Sequence, residues 1–452
     1  DAGTVANRYH TLDRWFKMLG KAWSGKYYTL RGPDYRVNST GVTALTPMGD
    51  LATRVSDGSG GVIEAARATE VSGMETDWAD EDGTMNVLAV EGVDDAFDIT
   101  GNTAPVYTGR LALWKAHYTD GSYEYKTFAT QPEGGFAPWA GDVAPDGTHR
   151  NMNWEATFGG SKTAAGKLTS GSGYNGKSWE RNSNVTAINV SATAGLTAAR
   201  LWDAYEGTYS DTDLEPIIDL FQMRHFDLEN SGIIEGCLSY NLDYAVAVAE
   251  SDVTSVVLTV AQAANILMGS FLDVGSAARG GQRARGNVIQ IETETIGGTE
   301  YARVTLDVSS TFSTESGDHV CTLPWTPGST EHLPGHKDGS LSSCTAGKTP
   351  ARIAGVEIID GGYAVGLDPL WNSDWDDERD PKSIYTVYQC RDSVNQASSI
   401  TANYEQAATF TSNASGWQYE KHLAINSKGM IYPDALGAGS TTFMKSAFYF
   451  GA

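Results

Sequence analysis

Residues 417–452 read WQYEKHLAINSKGMIYPDALGAGSTTFMKSAFYFGA. Aromatic residues alternate there with glycine and small polar residues up to Phe448-Tyr449-Phe450. Alternation with period two is the pattern of a β-strand. The N–H and C=O groups of such a strand need partners. No cap, charged tail or polar run follows, so the strand either pairs within a sheet or is completed by residues beyond Ala452.

Working outward, the whole chain carries the same β bias. Its 452 residues include 50 glycines with abundant Ser and Thr, and few long helical patterns. That composition predicts a β-rich protein with many turns, divided into about two to four domains at ~150 residues each. The 12 Trp and 21 Tyr suffice for cores and leave rings over for a contact surface.

A formal charge of −24 argues against nucleic acid as a partner, because phosphate contacts need a basic footprint. No apolar run approaches the ~20 residues of a membrane helix, so membrane insertion is not expected, and no signal peptide is evident. The sequence starts at Asp1 without Met, which leaves trimming, processing and preceding residues all open. Cys237, Cys321, Cys344 and Cys390 form no CxxC pair, which argues against zinc. Cys321 and Cys344 flank a Gly/Pro-rich loop, so a bridge between them and free buried thiols both stand.

Four segments follow from the composition shifts. Residues 1–150 read as a β-rich domain, with strands over Asn86 to Val90, Val106 to Trp114 and Tyr123 to Ala129. Thr119-Asp120-Gly121-Ser122 is a hairpin signal in which Asp-Gly supplies the positive φ angles. At its start, Leu12, Trp15, Phe16 and Leu19 define one face of a short amphipathic helix amid basic residues, either a docking element or a surface helix. Residues 151–230 read as a Gly/Ser-rich connector with helices. The best helix there spans Asp213 to Phe226, with Asp213 as N-cap and Pro216 in the first turn. It either packs within the subunit or lines a threefold axis.

Residues 231–325 carry closely spaced short strands and the turn Ile296-Gly297-Gly298-Thr299, which predicts a small β-barrel or sandwich. Residues 326–452 form the last module, with a hairpin signal at Asp360-Gly361-Gly362 and strands over Ile384 to Tyr388 and His422 to Ile425.

Catalytic sets are missing from the sequence: no Walker loop, HExxH or GxSxG is present. Gly171-Ser172-Gly173-Tyr174-Asn175-Gly176 fits GxGxxG but has no strand before it or helix after it. The expectation is a protein that binds and is not an enzyme. The sharpest polar cluster is Trp371-Asn372-Ser373-Asp374-Trp375-Asp376-Asp377-Glu378-Arg379-Asp380. Hard oxygen ligands beside tryptophans suit calcium, or a sugar stacked on Trp375 with carboxylates on its hydroxyls. The cluster departs from the EF-hand loop, which leaves a solvated acidic loop as the alternative.

A resemblance adds to this reading. Trp417-Gln418-Tyr419, Gly429-Met430-Ile431-Tyr432-Pro433, Gly437-Ala438-Gly439-Ser440-Thr441-Thr442 and Tyr449-Phe450 resemble the C-type-lectin-like domain that ends phage receptor-binding proteins of the diversity-generating-retroelement type. Leu201-Trp202-Asp203-Ala204-Tyr205 and Leu220-Phe221-Gln222-Met223 look like a helical element upstream of that module. The resemblance implies a C-terminal lectin-like α+β domain, incomplete here, whose variable segment would follow Ala452. It implies a homotrimeric virion fibre, attached through its N-terminal region to other virion proteins and adhering to a bacterial surface receptor, glycan or protein. The expected contact residues are Trp371, Asp374, Trp375, Asp376 and Asp377, with no cofactor other than calcium in question. A purely structural capsid or tail protein is the alternative. A depolymerase tailspike is disfavoured because the strand–turn period of a parallel β-helix is missing.

Overall fold

A computed structural model describes residues 28–33, 44–52, 69–72, 88–91, 95–121, 123–129, 134–139, 142–143, 149, 152–163, 165–172, 185–186, 211–228, 242–323, 325, 327–331, 351–353, 355–358, 370–380, 382–390, 395–412, 416–425, 431–436 and 447–450. Among these the chain is mainly β, in seven sheets. The amphipathic stretch Leu12 to Leu19, the Leu201 to Tyr205 element, Cys237, Cys344 and the Asp360-Gly361-Gly362 signal lie outside the described residues.

Near the N-terminus, strands Thr46–Gly49, Tyr28–Pro33, Tyr123–Ala129, Trp114–Asp120 and Ala137–Pro138 lie side by side in that order. The expected strand from Val106 to Trp114 divides. Val106–Leu111 joins a separate four-stranded sheet, and a new strand begins at Trp114. In the hairpin, Asp120 pairs with Tyr123, so Asp120 ends the strand and Gly121, at φ +62°, makes the turn. Met152–Ala156 pairs antiparallel with Val106–Leu111, which places part of the expected connector inside a sheet of the N-terminal region.

The long helix spans Asp211–His225, two residues longer at its start than the sequence pattern indicates. Asp213 therefore sits inside the helix and not at its cap. Residues 216–223 are buried on every side, the pattern of a helix enclosed by its own protein. One side meets the five-stranded sheet through charge. The Asp219 carboxylate accepts hydrogen bonds from Lys115 Nζ at 2.8 Å, Lys126 Nζ at 3.2 Å and the Trp139 indole N–H at 3.0 Å. Burial alone raises a carboxyl pKa, but the two lysines and the donated hydrogen bonds outweigh it and hold Asp219 below its ordinary value. On another side the helix approaches strands Ile431–Leu436 and Ala351–Ile353.

A second buried cluster lies one residue away through Trp139. The Arg110 guanidinium stacks 4.9 Å from the Trp139 ring centroid and forms a two-point pair with Asp142, at 2.8 and 3.2 Å. Its Nε donates to Glu155 at 2.6 Å. Asp142 also accepts the Leu113 N–H, so each carboxylate there has a donor.

Residues 243–323 form an antiparallel sheet of six strands, ordered Asp243–Ala245, His319–Leu323, Phe271–Ala277, Gly280–Ile296, Thr299–Leu306 and Ser255–Thr259. The 17-residue strand Gly280–Ile296 pairs along its first half with Phe271–Ala277 and along its second with Thr299–Leu306. All six strands turn one face to a single core that includes Val256, Leu272, Val274, Val288, Val304 and Val320. The expected barrel is corrected: no closed barrel forms. Val248, beyond the edge strand Asp243–Ala245, makes an isolated bridge to Val257 in the other edge strand. At Ile296-Gly297-Gly298-Thr299 the expected turn is present, with φ of +59° and +84° at its two glycines. Val260–Ala263 is a short helix with a Thr259/Gln262 capping box. Cys321 is a free buried thiol that donates to Asp243, and burial pushes its pKa up. This removes the bridge option for Cys321.

After this sheet the chain returns to the N-terminal region. Glu357 accepts the N–H groups of Gly328 and Thr330, at 2.8 and 3.0 Å, and the Thr330 hydroxyl at 2.7 Å. The Glu357 N–H donates to the Thr157 carbonyl at 2.7 Å, and the Ser172 hydroxyl donates to Gly328 O at 2.9 Å. At the chain end, Ala447–Phe450 pairs with Gly416–Ile425, Tyr449 opposite Trp417, so the terminal apolar strand finds its partner in the same module.

Removing the Asp219 charge takes the carboxylate away from the buried Lys115 and the half-buried Lys126, which costs ~3–5 kcal/mol. Asp219→Ala should lower stability in urea unfolding by that order. Because the folded pKa is depressed, this stabilisation is complete above the ordinary carboxylate range and is lost as pH falls through the lower folded value. The variant should therefore show a flatter acid limb than the wild type. A second prediction concerns Gly328, at φ +85°, where a Cβ would stand 2.3 Å from the Ser172 Cα. Gly328→Ala should destabilise by at least ~1–3 kcal/mol, read as a lower melting temperature; an unchanged melt would contradict the contact.

Candidate binding surface

The acidic cluster forms a hairpin. Leu370–Trp375 pairs antiparallel with Ser383–Gln389, which pairs on its other side with Glu405–Ser412. The central strand alternates strictly: Ser383, Tyr385, Val387 and Gln389 are buried, while Ile384, Thr386 and Tyr388 are half-buried. Tyr385 stacks on Phe410 with ring centroids 5.5 Å apart, which anchors the covered face. Next to it, the buried Tyr404 hydroxyl accepts the Ala397 N–H and donates to the Ala397 carbonyl, both at 2.9 Å.

Register sorts the expected contact residues onto two faces. Trp371, Ser373 and Trp375 stand opposite Val387, Tyr385 and Ser383, which are buried in the central strand, while Ser373 itself is exposed. Asn372 and Asp374 stand opposite Thr386 and Ile384, on the other side. Alternation thus places position 374 in a different row from positions 371 and 375. The open side is a grid of three rows: Leu370, Tyr388 and Gln406; Asn372, Thr386 and Thr409; Asp374, Ile384 and Thr411. Its outer positions Asn372, Asp374, Gln406, Thr409 and Thr411 are exposed. The Thr386 and Thr409 hydroxyls lie 3.3 Å apart, and Gln406 Nε2 donates to Thr409 at 3.1 Å.

Asp376 and Asp377 lie in the exposed connection between the first two strands. Asp376 organises it: its N–H donates to the Lys382 carbonyl at 2.6 Å, and its Oδ1 accepts the Glu378 N–H at 2.9 Å. Arg379 brings Asp374 and Asp376 together, with nitrogens 3.2 Å from Asp374 Oδ2 and 3.9 Å from Asp376 Oδ2. Its guanidinium also donates to the carbonyls of Asp374 and Lys382. A fixed positive charge between these carboxylates opposes a calcium ion there. Among the described residues no group of three or more His, Cys, Asp or Glu is placed to hold a metal.

The arrangement offers hydroxyl, amide and carboxylate groups on a stiff sheet, which suits recognition through many small polar contacts. Thr386, Thr409, Thr411 and Gln406 do not stand out in the linear sequence. The alternation in Ser383–Gln389 signals a two-faced strand, but only register reveals which residues flank it.

Arg379→Ala should loosen the connection while leaving the module folded. Exposed pairs of this kind contribute ~0–1 kcal/mol, so global unfolding should shift little, while amide exchange at Asp376 and Glu378 should quicken. Unchanged exchange at both amides would show that Arg379 does not hold the loop.

Compared with known proteins, the chain matches no family model, no curated protein and no solved structure.

Proposed function

We propose that this chain is a virion adhesion protein, a phage receptor-binding fibre component that presents its C-terminal module to the bacterial surface. One observation carries the reading most: in the sheet of Leu370–Trp375, Ser383–Gln389 and Glu405–Ser412 the central strand buries alternate residues, while Asn372, Asp374, Gln406, Thr409 and Thr411 in the rows of the other side are exposed. Such a division lets contact residues vary while the core stays intact. The lectin-like assignment of 326–452 belongs to the same proposal. It is supported by the resemblance of the Trp417 to Phe450 segment and by the pairing of its terminal strand within the module.

In this reading Asn372, Asp374, Thr386 and Thr409 make the receptor contacts, with Asp376 and Asp377 at the rim. Trp371 and Trp375 occupy the other register row of Leu370–Trp375. The protomer acts as part of a homotrimer anchored through its N-terminal region. No cofactor is assigned, and the described residues offer no metal-holding group. No described helix is long and apolar enough to cross a membrane.

The test is binding of the fluorescently labelled chain to a panel of bacterial strains differing in surface polysaccharide, with oligomeric state measured alongside by sedimentation. At least one strain should bind the wild type. Combined Asn372→Ala, Asp374→Ala and Thr409→Ala substitutions should weaken that binding at least about tenfold, equivalent to ~1.4 kcal/mol, without changing the melting temperature. A folded monomer that binds none of the strains would contradict the proposal.

A further inference from the structure

The five-stranded N-terminal sheet has its own open surface, far in sequence from the acidic hairpin. The face carrying Lys115, Lys126 and Phe128 is covered by the Asp211–His225 helix. On the opposite face, register aligns Tyr118 with Tyr125 and Arg31, and Asp120 with Tyr123 and Pro33. The inner end of this face is closed: Trp114 packs on His149 with ring centroids 4.6 Å apart, and Thr127 is buried and bonded to Thr29. The outer end is open, with Tyr118 52% and Tyr123 47% exposed.

These rings are held in place. Tyr118 and Tyr125 stack nearly parallel, 3° apart with centroids at 4.8 Å. The Arg31 guanidinium lies 4.8 Å from the Tyr123 centroid and fixes that ring too. Stacking explains part of their value, since a cross-strand aromatic pair stabilises a hairpin. It does not explain why half of Tyr118 and of Tyr123 faces water beside an exposed carboxylate.

We propose that this outer end, Tyr118, Asp120, Tyr123, Tyr125 and Arg31, is a binding site for a neutral hexopyranose unit. The apolar C–H face of a pyranose packs on a flat, pre-positioned ring, and Asp120 and Arg31 supply an acceptor and donors for its hydroxyls. The size selects the occupant: two half-exposed tyrosines and their neighbours offer roughly 200–300 Å², well short of the ~800 Å² per partner of a stable protein interface. The charge of −24 on the chain repels polyanionic glycans and favours a neutral one. This site is independent of the proposed receptor face, so the two readings stand or fall separately.

The experiment is saturation-transfer NMR on the full chain with laminaritetraose, maltotetraose and chitotetraose, followed by affinity titration. At least one should receive saturation at its ring C–H protons. Tyr118→Ala and Tyr123→Ala should each weaken it about tenfold, as loss of an aromatic contact requires. Tyr118→Phe should retain binding, because the hydroxyl is not the platform, and Asp374→Ala should leave it unchanged. The proposal is overturned if none of the three sugars receives saturation, if Tyr118→Ala binds like the wild type, or if Asp374→Ala abolishes the signal. Self-association of the wild type that Tyr118→Ala removes would equally overturn it, by making the patch a contact between copies.

Discussion

The described structure depends most on one buried carboxylate. Asp219 lies in the buried part of its helix, residues 216–223, and accepts hydrogen bonds from Lys115, Lys126 and Trp139, which come from three separate segments of the N-terminal sheet region. Burying the Asp219 carboxylate and the Lys115 ammonium group is costly unless they neutralise one another. The cost of any misplacement fixes the helix against the sheet more sharply than apolar contacts would. Trp139 extends the constraint: its N–H serves Asp219 while its ring face receives Arg110, which in turn holds Asp142 and Glu155. Two charge clusters are thereby joined through one indole.

The remainder of the chain attaches to this centre. Glu357 ties the segment around Gly328 and Thr330 to the strand region near Thr157, and the helix also approaches strands Ala351–Ile353 and Ile431–Leu436. The six-stranded sheet is different, since its apolar core is internal and its surface ion pairs, such as Arg303 with Glu250, stay within it. The outcome is a stiff framework that leaves two polar or aromatic faces open, the Thr/Asn/Asp grid near the C-terminus and the tyrosine end of the N-terminal sheet. The proposed adhesion would draw on that combination, because ordering a loose surface on contact would offset much of the binding energy.

Part of this was legible in the residues alone. Turn chemistry located the Gly297-Gly298 hairpin and the Tyr123–Ala129 strand, and aromatic alternation identified the terminal strand at Phe448. What escaped was whatever depends on partners distant in sequence. Nothing near Lys115 or Lys126 in sequence marks their role; their counter-charge, Asp219, lies about a hundred residues on. The split of Trp375 from Asp374 follows from strand alternation, yet only pairing with Ser383–Gln389 shows which side is covered. The choice between the expected barrel and sandwich was hidden for a similar reason: strand spacing reveals how many strands exist, while closure depends on how the outermost strands pair.

The most direct test of the central constraint is a double-mutant cycle between Asp219 and Lys115, measured by urea unfolding of Asp219→Ala, Lys115→Met and the double variant. If the buried pair organises the helix against the sheet, the double variant should be more stable than the sum of the single losses allows. The coupling should be at least ~1.5 kcal/mol, within the range seen for residues in direct contact. Losses that simply add would show that the helix is held by its apolar surroundings and that the charge cluster is incidental.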